Sequence, residues 1–278
     1  MDEPDLNYDD FEVGQQCPAI PIVLDDDLVS RYVNSTGHDD PLFAGQYAPP
    51  LISSIVRYVK GSLGGKWPTG TVHLNQDMQF YRPLKRGETV TLDVRVGSKT
   101  TRRGRSYIEF ICTTLDADQQ VVSQGVMRML WRGADYASRS QTAAPPPPSS
   151  PPAGRAIEPL TVEVSHAMVK AYAEVAAARD PIHLDPNYAR QTRFGKPIAQ
   201  GLLVVSLLAR RLTREYGASW MSGGTLSVRF VRPAIVGEPV TVRGMEREPA
   251  HDGASRCCVI WCENTRGDTL VEGEALVT

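Results

Sequence analysis

No run of about 18 apolar residues occurs anywhere in the 278-residue chain, so a membrane-spanning helix is not expected. An excess of charge of either sign is also missing: 30 Lys and Arg face 32 Asp and Glu, a formal net charge of −2. That balance excludes a strongly basic nucleic-acid binder and an acidic disordered tail. The opening residues, Met1 to Asp10, are acidic and lack the basic-then-apolar layout of a secretion signal, so a cytoplasmic location is expected. Cysteine is scarce. Cys17, Cys112, Cys257, Cys258 and Cys262 are odd in number and include no Cys-x-x-Cys pair, which argues against a disulfide framework and against a zinc site. The histidines show no metal-ligand spacing, and Gly61-Ser-Leu-Gly-Gly-Lys66 lacks the spacing and the following Ser or Thr of a phosphate-cradling loop. Neither a metal nor a cofactor is expected.

What the chain does contain is a repeat. Gln79-Phe-Tyr-Arg-Pro-Leu-Lys-Arg-Gly-Glu88 matches Arg229-Phe-Val-Arg-Pro-Ala-Ile-Val-Gly-Glu238, 150 residues further on. Ala48-Pro-Pro-Leu-Ile52 matches Ala199-Gln-Gly-Leu-Leu203 at an offset of 151, and Asp40-Pro-Leu-Phe43 matches Asp180-Pro-Ile-His183 at an offset of 140. The order is the same in both copies. The first copy is 11 residues shorter between the second and third matches, so the segment before its main helix is trimmed. Residues 139–156 carry six prolines and read as a linker. The expected organisation is an N-terminal repeat over 1–138, the linker, and a C-terminal repeat over 157–278.

Each repeat has the same pattern of elements. Short helices are expected at 26–36 and 166–178, the second capped by Ser165. A turn with Asp-Pro follows, then helices at 50–61 and 198–216. The stretch from Ile198 to Leu208 is apolar on nearly all sides, so that helix should be buried. Alternating strands finish each half, at 72–82, 88–98, 104–115 and 120–132, then 224–232, 238–247, 255–264 and 269–277. A buried helix followed by antiparallel strands points to an α+β fold in which each sheet wraps a central helix, twice over.

Tyr172-Ala-Glu-Val-Ala-Ala-Ala-Arg-Asp-Pro-Ile-His-Leu-Asp185 and Pro197-Ile-Ala-Gln-Gly-Leu202 resemble the MaoC-like (R)-specific enoyl-thioester hydratase/dehydratase family. The resemblance covers nearly the whole chain outside the linker. It implies a double hot-dog fold, with the N-terminal repeat degenerate and the 11 residues missing from that repeat expected to leave room for an acyl chain. It also implies a site in which an Asp and a His orient water and move protons while N–H groups at the start of the buried helix polarise the thioester carbonyl. Helix-end donors suit enolate-like charge on that oxygen.

The family slots are filled unevenly. His183 occupies the histidine position, but Ala178 stands where the family has its Asp, and Gln200 where it has a His before the helix glycine. In the first repeat His38 takes the Asp position and Phe43 the His position. The expected catalytic residues are therefore His183 as base and Asp180 as its carboxylate partner, although an Asp before Pro also caps turns. Gly201 and Gln200 are the expected substrate-binding residues. Gly201 either admits the thioester or allows close packing, and Gln200 either donates to the thioester oxygen, touches the nucleophile or faces solvent. Three functions fit this set. The first is a lyase that hydrates enoyl thioesters or dehydrates 3-hydroxyacyl thioesters of coenzyme A or acyl carrier protein. The second adds an amine such as glycine to an enoyl thioester, with Arg179 anchoring the amine's carboxylate. The third is a non-catalytic thioester-binding or partner subunit. Relatives of this kind commonly associate, which leaves a homodimer open, and neither nucleic acid nor membrane is an expected partner.

Overall fold

The computed structural model describes residues 4–132, 154–247 and 255–278. The first half runs β1 (Ile20–Val23), α1 (Asp26–Thr36), α2 (Pro41–Ala44), α3 (Val56–Leu63), β2 (Val72–Phe80), β3 (Thr89–Arg102), β4 (Arg105–Leu115) and β5 (Val121–Arg132). The second runs β6 (Arg155–Glu163), α4 (His166–Ala176), α5 (Pro181–Leu184), α6 (Pro186–Arg190), α7 (Gly201–Tyr216), β7 (Thr225–Phe230), β8 (Pro239–Glu246), β9 (Arg256–Glu263) and β10 (Thr269–Val277). Strand β6 begins at Arg155, inside the segment read as linker, while 139–153 lie outside the described residues. Among the described residues no helix is long and apolar enough to cross a membrane.

Local chemistry sets the helix ends. The Asp25 carboxylate accepts from the Leu28 N–H at 2.8 Å and starts α1, and the Ser165 hydroxyl accepts from the Met168 N–H at 3.1 Å and starts α4. Helix α1 stops at Gly37 with φ 64°, and α4 stops at Ala177 with φ 49°. That left-handed conformation costs a non-glycine residue about 1 kcal/mol or more. Helix α7 starts three residues later than expected, because residues 197–200 stay extended. There the Ala199 N–H donates to the Ala234 carbonyl at 2.8 Å, and the Val236 N–H donates to that of Pro197 at 3.0 Å. Helix α3 is shorter than the helix expected at 50–61. Pro49 and Pro50 carry no N–H, and a single 3-10 turn at Ile52–Ser54 precedes it.

The strands form one antiparallel sheet in the order β1-β3-β4-β5-β2-β7-β10-β9-β8-β6. Its two five-stranded halves meet where β2 pairs with β7, with Gln76 opposite Val228. Every residue of α7 from Leu202 to Ala209 is buried, with the strands of the second half on one side and α1 on another, where the Ser206 and Tyr32 hydroxyls are 2.9 Å apart. Helices α1 and α4 pack on each other, with the Tyr32 and Tyr172 ring centroids 6.3 Å apart. The Arg57 guanidinium on α3 ties the halves together, donating to the carbonyls of Val175 at 2.7 Å and Glu174 at 2.6 Å at the end of α4. All five cysteines are unpaired, and burial pushes the thiols of Cys112 and Cys258 up to about 12.

Candidate active site

A cavity of about 280 Å³ opens beside the N-terminus of α7. The second half lines it with Tyr172, Ala178, Asp180, His183, Gln200 and Gly201. The first half supplies Val56 and Lys60 from α3, with Trp67, His73 and Met129. A larger depression of about 800 Å³, formed mostly by β6–β10 around Trp261, has neither an imidazole nor a helix N-terminus in its wall.

His183 sits on α5, the single turn that follows Asp180-Pro181. The Asp180 carboxylate accepts from the Ile182 N–H at 3.1 Å and Pro181 holds the first helical position, so the turn is fixed by sequence alone. The His183 ring then reaches the extended segment before α7, where Nδ1 lies 2.8 Å from the Ile198 carbonyl oxygen. A carbonyl only accepts, so Nδ1 carries the proton and Nε2 keeps its lone pair. Burial lowers the pKa of this imidazole below its ordinary value. The Ile198 carbonyl and the Asp180 charge oppose that shift, and the Lys60 charge adds to it. The ring is therefore a neutral proton acceptor near pH 7.

Gly201 is the first residue of α7. Its N-cap, Gln200, makes no side-chain cap bond, unlike the Asp or Ser caps of α1, α2, α4, α5 and α6. The first N–H groups of a helix have no acceptor within it, so this end presents donors and a positive dipole. A Cβ on Gly201 would meet Phe230 Cε1 at 2.9 Å, so close packing on that ring already requires the glycine. Gln200 does not face solvent. It is buried, and its side-chain NH2 donates to the Val169 carbonyl at 3.2 Å and to the Ala178 carbonyl at 3.3 Å.

Arg179 is not brought to the site. It is exposed, lies outside the cavity wall and pairs with the Glu174 carboxylate, because the chain has just left the left-handed turn at Ala177. The cations that do line the cavity are Lys60, Arg193 and Arg232. Lys60 Nζ reaches the Ala177 carbonyl at 3.5 Å and lies over the Trp67 ring. His73 also lines the cavity. Its Nε2 is 2.9 Å from the Asn75 carbonyl, its ring packs on Phe230, and burial lowers its pKa to about 4. These first-half residues carry no local motif; only the cross-half packing brings them to α7. The shortened stretch between Asp40 and Ala48 contributes nothing to the cavity wall, because the first half's share comes from α3, residues 67–74 and Met129.

The equivalent position in the first half is closed. Phe43 replaces the imidazole and is fully buried, and Pro50 replaces Gly201 and has no N–H to offer. His38, in the position of Ala178, is buried edge-on against Phe43 at 4.9 Å, and its pKa is lowered to about 3 by burial and by the Arg210 charge. Among the described residues no cluster of three or more His, Cys, Asp or Glu could hold a metal.

The model of the MaoC like domain matches residues 149–259. The 3-hydroxybutyryl-CoA dehydratase of Methylorubrum extorquens is 34% identical over 125 residues, which are 43% of this chain and 76% of that protein. The (R)-specific enoyl-CoA hydratase of Aeromonas caviae is 35% identical over 75 residues, 27% of this chain and 56% of that protein. A solved structure described as a MaoC-like dehydratase superposes with a TM-score of 0.79 at 18% identity, covering 95% of this chain and 98% of the other.

Proposed function

We propose that this chain, which belongs to the MaoC-like family, is a lyase that adds water across the C2–C3 double bond of an enoyl thioester or removes it from a 3-hydroxyacyl thioester. The carrier is coenzyme A or acyl carrier protein. One observation carries the reading: a neutral imidazole with a fixed tautomer and the uncapped start of a buried helix line the same cavity.

In the hydration direction the thioester oxygen lies at the start of α7, where the Gly201 N–H donates to it. His183 Nε2 takes a proton from water as the water oxygen bonds to C3. The alkene electrons move towards C2 and the thioester oxygen, and the helix end stabilises the resulting enolate. A proton delivered to C2 completes the addition. Asp180 holds the α5 turn, and its charge favours the imidazolium formed on the way. Of the cations in the cavity wall, Arg193 and Arg232 suit the phosphates of the carrier arm, whereas Lys60 lies close to His183.

The amine-addition reading loses its anchor, since Arg179 is paired with Glu174 away from the cavity. Incubation with an enoyl-coenzyme A, with and without glycine, separates the possibilities. Loss of enoyl absorbance without glycine is the expected result. Loss only with glycine identifies conjugate addition of the amine, and tight binding with no turnover identifies a non-catalytic subunit.

A further inference from the structure

We infer that Gln200 takes over the water-holding task that the family gives to the carboxylate missing at Ala178, through its side-chain oxygen. The inference rests on the hydratase reading and assigns one more residue to that site. The amide is oriented by its surroundings. Two backbone carbonyls, those of Val169 and Ala178, flank one end of it, so that end must be the NH2 group. The other end, Oε1, is then fixed as an acceptor. It is buried, and no donor among the described residues reaches it. A buried acceptor left without a donor is costly, so this oxygen selects a ligand with an O–H to give. The same side chain lines the cavity with His183, precedes the N–H of Gly201, and is bonded to the residue that fills the Asp slot.

An amide oxygen can hold water by accepting one of its hydrogens, but it cannot take the proton. The division of labour follows. Gln200 Oε1 accepts from one O–H of the water, and His183 Nε2 removes the other proton as the C3–O bond forms. The imidazolium Nε2–H then returns that proton to C2 as the enolate collapses to the thioester. The sum is H at C2 and OH at C3. The other charged or titratable groups that line the cavity with His183 are Lys60 from α3, His73 from β2, Tyr172 from α4, Asp180 from its own turn, and Arg193 and Arg232; of these, the charges of Asp180 and Lys60 act on the imidazole. His73 Nε2–H is engaged by the Asn75 carbonyl.

The test compares the full-length chain with Gln200→Met, Ala178→Asp and the double variant, using enoyl-coenzyme A as substrate and thermal unfolding as a check on the fold. Wild-type turnover tests the hydratase reading by itself. The ratios between variants test the role of Gln200. Gln200→Met is expected to lower kcat by about 10²-fold, as loss of one preorganised hydrogen-bonding group does, with KM little changed. Adding Ala178→Asp to it is expected to restore kcat at least about tenfold, because a carboxylate holds water as the amide did. The restored enzyme should also show its acid limb at higher pH, since a nearby negative charge raises the pKa of His183. Wild-type kcat in Gln200→Met would overturn the inference, as would a folded double variant with no recovery. If Gln200→Met does not fold, Gln200→Asn decides, because the shorter amide keeps its polarity but withdraws Oε1: a kcat at least about tenfold lower supports the inference, and an unchanged kcat overturns it.

Discussion

Asp180 and Asp40 do the same local work. Each carboxylate accepts from the N–H two residues on, that of Ile182 at 3.1 Å and that of Leu42 at 3.0 Å, ahead of a proline in the first helical position. Only Asp180 has an imidazole three residues further on, so its added effect is electrostatic. Asn keeps the capping oxygen and removes the charge. His183 reacts as the neutral ring, so kcat/KM falls as the pH drops through its pKa. Loss of the Asp180 charge lowers that pKa, because that charge now raises it. Asp180→Asn should therefore move the acid limb of the pH–rate profile to lower pH and leave the plateau nearly unchanged. A limb displaced upwards, or a collapsed plateau, would show that Asp180 handles the proton itself. At this scale the sequence made His183, Asp180, Gln200 and Gly201 legible, because a capped turn and a helix start hold them at fixed spacing. It could not reveal which way Arg179 points after a left-handed turn. Nor could it reveal Lys60, Trp67 and His73, which come from the other half of the chain.

The two central helices show how element and function are linked. Helix α7 begins at Gly201 and is buried along its apolar run, whereas its counterpart is broken by Pro49 and Pro50 and leaves only α3. At the position equivalent to Gly201 the counterpart has Pro50, which has no N–H to offer. Gly201→Ala tests the packing that holds this end in place. Its Cβ would come within 2.9 Å of Phe230, so the ring must move, and overpacking of this kind costs about 1–3 kcal/mol. A lower unfolding temperature and a reduced kcat/KM are expected together. An unchanged melting curve with full activity would mean that the ring yields freely. Periodicity made α1, α4 and the eight main strands visible in the sequence. The edge strands β1 and β6 were not visible. One is four residues long, and the other contains Pro159 and three charges, a composition that only a sheet edge tolerates.

The two halves of the molecule contribute differently to the cavity. The β2–β7 pairing and the Arg57 bonds fix the halves so that α3, Trp67 and Met129 form one wall of a cavity whose chemistry lies in the other half. The repeat and its degenerate slots were readable from the sequence. The place of the first half as a wall of this cavity was not, because it depends on packing across more than 100 positions. A wall that contacts ground and transition states alike affects KM more than kcat. Trp67→Ala should raise KM about tenfold, in line with loss of an apolar contact worth about 1–2 kcal/mol, with kcat largely retained. A loss confined to kcat would instead place the indole at the reacting centre.

The proposed chemistry converges on one nitrogen, His183 Nε2. The measurement that reaches it most directly is the hydration rate of an enoyl thioester by His183→Ala beside the unaltered chain, with both unfolding temperatures recorded. Removal of a positioned general base lowers rates by about 10²–10⁴, and a loss of that size in a folded variant is the predicted result. A folded His183→Ala protein that hydrates the substrate at close to the original rate would contradict the account.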